Sequence, residues 1–122
     1  MKFNKNNFYK SLIKIGVRRG QNLFIHSDIG LLKEYKDKKD IQLTCKIITN
    51  SLLKAVGRNG SLAFPTFTYS FSNNKRYYPK TSKSICGYLS EYVKKMSLSN
   101  SYNDPNVSVA VLGKNKEFWL SS

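Results

Sequence analysis

Apolar positions fall in short stretches whose spacing assigns an element to each. Phe8, Leu12 and Ile15 recur at helical intervals and Gly16 follows, which predicts a first helix over 6–15. Such spacing is one face of a 3.6-residue period, and glycine ends helices because it takes a left-handed conformation without steric cost. Asn22, Leu23, Phe24 and Ile25 run into a polar corner of His26, Ser27, Asp28, Ile29 and Gly30. A brief apolar run bounded by turn residues reads as a buried strand. Asp40 is a good N-cap for the clearest helix, in which Ile41, Cys45, Ile48, Leu52 and Val56 form one apolar face before Gly57. Ser61, Leu62, Ala63 and Phe64 predict a second strand, stopped by Pro65, which has no donor for a ladder.

Beyond Pro65 the signals weaken. Residues 65–71 alternate aromatics with hydroxyls and read as an extended segment crossing the sheet's edge, and 30–39 and 72–80 read as loops. Ile85, Leu89, Val93 and Met96 predict a helix over 84–96. Asn103, Asp104, Pro105 and Asn106 make a turn, and the apolar run 107–113 is a strand of central type. Residues 114–122 are expected to be helical. Strand, helix and strand over 22–64 form a βαβ unit, so the fold class is α/β: a βαβ-containing mixed sheet flanked by helices, with 1–122 part of one domain.

Composition changes this picture little. At 122 residues, 40% hydrophobic, the chain can bury one modest core. No window approaches the roughly 18 apolar residues of a membrane span. The basic N-terminus lacks the apolar run and cleavage site of a signal peptide, so a cytoplasmic location without membrane attachment is expected. Cys45 and Cys86 sit in helical patterns and read as core residues in a reducing compartment, not as a disulfide or metal pair. The net charge of +14 invites anionic partners. Yet the 21 basic residues are scattered singly and in pairs, and lysines outnumber arginines 17 to 4. A solvated basic surface is therefore expected, with no specific nucleic-acid partner.

Candidate chemistry is sparse. There is no glycine-rich phosphate loop, no zinc spacing and no nucleophile elbow, so no metal is expected. General acid–base work at neutral pH would rest on His26, the only histidine, or on Asp28 or Asp104. What remains is polar corners after strands: His26 and Ser27 after the first, Thr66 and Thr68 after the second, and Ser82 and Ser84 heading a helix. In open α/β sheets ligands sit at strand carboxyl ends. Against this, residue chemistry alone reads His26 equally as a cap on its strand, and Ser82 and Ser84 as N-caps.

Five segments, in order, resemble the aminoglycoside 3-N-acetyltransferase family: 16–20, GVRRG; 23–29, LFIHSDI; 55–71, AVGRNGSLAFPTFTYSF; 82–91, SKSICGYLSE; and 104–113, DPNVSVAVLG. Each is weak alone, but together they cover nearly the whole chain. The resemblance implies an α/β fold that uses acetyl-coenzyme A to acylate an amine of an aminoglycoside or related amino sugar. It implies that His26, Ser27, Asp28, Thr66, Ser82 and Ser84 line the coenzyme A site.

Departures from the family pattern bear on substrate and activity. Asp28 replaces a small serine and would repel a phosphate; Lys83 replaces a proline and would attract one. Ser101 and Tyr102 stand where the family has arginine and serine, and the Asp104-Pro105 form resembles members of carbohydrate-pathway type. Family members are about twice as long, and their catalytic histidine and supporting glutamate belong to the half that would follow Ser122. The expectation is thus an N-terminal portion with no catalytic residue of its own, inactive alone. It would self-associate, or pair with a second half, through an open edge beside 107–112. The alternatives are a non-catalytic binding module for a phosphorylated ligand and a basic nucleic-acid-associated protein.

Overall fold

In the computed structural model the chain runs α1 (Lys5–Lys14), β1 (Asn22–Phe24), α2 (Lys38–Val56), β2 (Ser61–Pro65), α3 (Tyr88–Lys94), β3 (Asn100–Tyr102) and β4 (Val109–Gly113). The structure describes residues 5–27, 38–67, 72–78, 87–96, 100–102, 108–114 and 119. The strands form one mixed sheet in the order β1-β2-β4-β3, with β1 parallel to β2 and both other pairings antiparallel. The βαβ unit is therefore present, with α2 as its crossover. Among the described residues no helix is long and apolar enough to cross a membrane.

One face of the sheet carries the core. Leu62 and Phe64 of β2 and Ala110 and Leu112 of β4 pack with Cys45, Ile48, Leu52, Ala55 and Val56 of α2 and with Leu89 and Val93 of α3. The predicted face of α2 is thus the buried one. The helix starts at Lys38, so Asp40 lies inside its first turn, where its carboxylate still suits the positive end of the helix.

Several expectations need correction. The first strand is not buried: among the described residues β1 is an edge strand, with Asn22 and Leu23 half-buried and Phe24 40% exposed. Its apolar run reflects cover on one face only. Ile15 lies beyond the end of α1 and is exposed, while Phe8, Tyr9 and Leu12 supply the contacts to the core. The third helix cannot run through Gly87, whose φ of 98° is not helical, and begins at Tyr88. β3 falls where no strand was expected. It pairs with β4, whose other neighbour is β2, so 109–113 is central as predicted but offers no open edge. Among the described residues the sheet ends at β1 and β3 instead. The expected turn at 103–106, Cys86 and Thr68 lie outside the described residues, as does most of 114–122.

Candidate functional site

The geometry of the candidate corner follows from one residue type, proline, at the end of β2. Ser61 N–H donates to Gln21 O (3.1 Å) and Ile25 N–H donates to Ala63 O (2.8 Å). In a parallel ladder alternate residues turn toward the neighbour, so 21, 23 and 25 face β2. The next rung would run from the amide of residue 65 to Ile25 O, and Pro65 has no N–H. On its other side β2 continues along β4, with Thr66 N–H donating to Ser108 O (2.9 Å). The hydrogen-bond ladder between the two parallel strands therefore stops at Pro65, with His26 and Ser27 following β1 and Thr66 and Phe67 following β2.

Ser27 turns toward the start of α3: a methyl group placed on Gly87 would lie 3.9 Å from Ser27 O. Gly87, with φ of 98°, accepts from Glu91 N–H (3.2 Å) in the first turn of α3. Ser27 thus lies close to the start of α3. Thr66 is buried and Ser27 half-buried. Beside them Tyr77 Oη and Ser108 Oγ share a hydrogen bond of 2.9 Å. Asp28, Ser82 and Ser84 lie outside the described residues.

His26 is exposed and belongs to the other face of the sheet. Its ring lies 4.9 Å from that of Phe24, which is 6.0 Å from the indole of Trp119. The Trp119 indole N–H donates to Ser61 Oγ (2.7 Å), which donates to Asn22 Oδ1 (2.7 Å). Sequence reasoning missed Trp119, Phe24 and Tyr77 as neighbours of the corner. The alternation of Asn22, Phe24 and His26 along a strand was the available signal for Phe24.

What the corner offers is hydroxyls and an imidazole. Among the described residues no carboxylate is bonded to His26, and no group of three or more His, Cys, Asp or Glu could hold a metal. A separate open cleft of about 880 Å³ lies between α2 and α3, lined by Ile41, Cys45, Tyr88, Glu91, Tyr92 and Lys95 among others. Burial pushes the Cys45 thiol up to about 11. Burial, and then the charge of ionised Cys45, raises the Tyr92 phenol. Both stay protonated at neutral pH, so this cleft presents no activated nucleophile.

Comparison with known proteins gives one family. The model of the family described as aminoglycoside 3-N-acetyltransferase matches residues 24–122. No curated protein sequence matches the chain. Among solved structures, the aminoglycoside acetyltransferase AAC(3)-IVa apoenzyme superposes with a TM-score of 0.79 at 21% identity, covering 99% of this chain and 44% of that one. The YokD protein from Bacillus subtilis gives 0.79 at 15%, covering 98% and 54%. AAC-IIIb, in a binary complex with CoASH, gives 0.74 at 16%, covering 98% and 49%. The chain spans about half the length of these structures, and at such identities the likeness is one of fold.

Proposed function

The chain belongs to the aminoglycoside 3-N-acetyltransferase family, and from that premise we propose that its strand corner is the part of an N-acetyltransferase that holds acetyl-coenzyme A. The observation that carries this reading is the end of the β1–β2 ladder at Pro65, with Ser27 and Thr66 following directly after the two strands and Ser27 O close to Gly87. A long cofactor arm with amides and hydroxyls needs scattered donors and acceptors at the end of a sheet, and the corner supplies them. His26, Ser27, Asp28, Thr66, Ser82 and Ser84 are its proposed contacts. The +14 charge favours the anionic end of the cofactor, while Asp28 disfavours a phosphate beside it.

Bound there, acetyl-coenzyme A supplies a thioester carbonyl to be attacked by an amine. The chain's own residues bind and orient: Ser27 and Thr66 offer hydroxyls on the side of α3, and His26 offers its ring on the side of Phe24. The acceptor is an amino sugar, of aminoglycoside or related type. A mutant of AAC(3)-IVa has been solved with gentamicin and with apramycin, which supports that substrate class.

Turnover is a different matter. A positioned general base contributes roughly 10²–10⁴-fold, and the single histidine is assigned to the cofactor. The 122 residues are therefore proposed to be one portion of the acetyltransferase domain, binding the cofactor without catalysing transfer. They act in the cytoplasm, with no membrane and no specific nucleic-acid partner. Among the described residues no strand pairs with the outer edge of β1, which is the proposed contact for another copy or for a complementing half, because unpaired strand edges recruit other chains.

The test is an assay of thiol release from acetyl-coenzyme A with a panel of amino sugars, alongside light scattering against protein concentration. The expected result is no turnover and a mass that rises above 14.0 kDa. A monomer that acetylates an amino sugar contradicts it.

A further inference from the structure

The open cleft between α2 and α3, about 880 Å³, has two walls of the same pattern. Lys39, Gln42, Leu43 and Lys46 line it from α2. Tyr88, Glu91, Tyr92 and Lys95 line it from α3 and its C-cap. Both sets run i, i+3, i+4 and i+7, so each wall is one helix stripe two turns long, about 10 Å at 1.5 Å per residue. Cys45 is buried in the cleft, with Ile41, Tyr92 and Met96 half-buried around it. Leu43 on one wall is 55% exposed and Tyr88 on the other 57%. Large apolar side chains left in solvent together around a concavity mark an interaction site.

Charge selects the occupant. Lys39, Lys46 and Lys95 are exposed, and among the described residues no carboxylate forms an ion pair with them. Glu91, the one carboxylate in the cleft's lining, lies 3.9 Å from Lys94. A second copy of the chain is a poor match: α1 carries no acidic residue, α2 only Asp40 and α3 only Glu91, on a chain of net charge +14. The complement is an apolar stripe with carboxylates on either side.

We propose that this cleft is a docking groove for an acidic amphipathic helix of a partner polypeptide, whose apolar stripe packs between Leu43 and Tyr88 and whose carboxylates meet Lys39, Lys46 and Lys95. Helix-in-groove docking uses anchors at the same i, i+3, i+4 and i+7 spacing that the walls present. Tyrosine at such a contact supplies most of the energy, Met96 adapts its shape to the partner, and the lysines decide which helices are accepted.

The probe is a synthetic peptide of about 18 residues, long enough to be helical, with leucines at that spacing and glutamates on either side. Its controls are a scrambled peptide of the same composition, the same peptide with lysines for glutamates, and dodecanoate. Binding to the 122-residue chain is read by fluorescence anisotropy or calorimetry, and its place by the Leu43 methyl and Tyr88 ring resonances. The striped acidic peptide should bind more tightly than either control peptide and shift both resonances. A Leu43→Ala, Tyr88→Ala double variant, changed only at exposed positions, should lose about 10-fold or more in affinity. A Lys46→Glu, Lys95→Glu variant should come to prefer the lysine peptide. Equal binding of the scrambled peptide, which is charge attraction without a groove, overturns the proposal. So does no binding of the acidic peptide, or an affinity unchanged in the Leu43→Ala, Tyr88→Ala variant. Unmoved Leu43 and Tyr88 resonances in saturated wild type overturn it too, and decide the matter if a variant does not fold. Dodecanoate moving those resonances where the peptide does not makes the cleft a small-amphiphile site and equally overturns it. No arm uses acetyl-coenzyme A, so failure here leaves the cofactor reading of the strand corner standing.

Discussion

Substituting Gly60 by alanine should damage the junction on which the corner depends. A β-carbon at this position would lie 2.5 Å from Val56 Cβ, 2.6 Å from Val56 O and 2.8 Å from Gln21 O. Both carbonyls are engaged: Val56 O accepts from Gly20 N–H (2.7 Å) and Gln21 O accepts from Ser61 N–H (3.1 Å). Gly60 therefore sits where the end of α2, the entry to β1 and the start of β2 converge, and no flexible side chain is available to yield. Overpacking costs about 1–3 kcal/mol. Weakening two hydrogen bonds adds about 1 kcal/mol each. The stiffer unfolded chain returns about 0.4–1 kcal/mol. The net loss is about 2–5 kcal/mol, a large part of the roughly 5–15 kcal/mol that holds a domain together. Urea titration followed by far-ultraviolet circular dichroism reads it as a lower midpoint at unchanged slope. A Gly60→Ala midpoint within about 0.5 kcal/mol of wild type would refute the close approach of these three segments.

Other consequences follow from single side chains. Thr49 Oγ1 is buried on α2 without a hydrogen-bond partner, so Thr49→Val should leave stability unchanged or raise it by about 1 kcal/mol in the same titration; a loss of that size would contradict the geometry. Burial raises the Cys45 thiol from 9.0 to about 11, so the folded state holds this proton more tightly than the unfolded state. Its contribution to stability is present below pH 9 and is lost as pH rises toward 11; alkylation by iodoacetamide should be slow at pH 8 and accelerate on unfolding, and equal rates would contradict its burial. Ser61→Ala removes the acceptor of the Trp119 indole, which should cost about 1–2 kcal/mol and shift the emission of the chain's single tryptophan; an unchanged spectrum would remove Trp119 from the sheet.

The elements legible in the sequence were those whose burial is decided by a regular period. The face of α2 and the apolar run of β4 needed no knowledge of the rest of the chain, because each is covered by the core along its length. β1 was misjudged because an apolar run of this length does not reveal whether one or both faces are covered, and here Phe24 is left half in solvent. The start of α3 turned on the positive φ of Gly87, and glycine inside an apolar period carries no sign of which conformation it takes. β3 is three residues long and, among the described residues, pairs with β4, a contact between separate segments that no local pattern announces. At the site, Ser27 and Thr66 are legible as polar residues after strands, while the approach of Ser27 to Gly87 joins segments 60 residues apart and has no local signal. The bonds of Tyr77 to Ser108 and of Trp119 to Ser61 join residues 31 and 58 apart, beyond the reach of any local pattern.

Calorimetric titration of acetyl-coenzyme A into the 122-residue chain, and into a His26→Ala, Ser27→Ala double variant, tests most directly whether this corner holds the cofactor. The double variant should bind more weakly than wild type while keeping its circular dichroism spectrum, because both side chains lie at the surface end of β1 and neither belongs to the core. Equal affinity in the two proteins, or no heat of binding to wild type, would contradict the placement of acetyl-coenzyme A at the corner of His26 and Ser27.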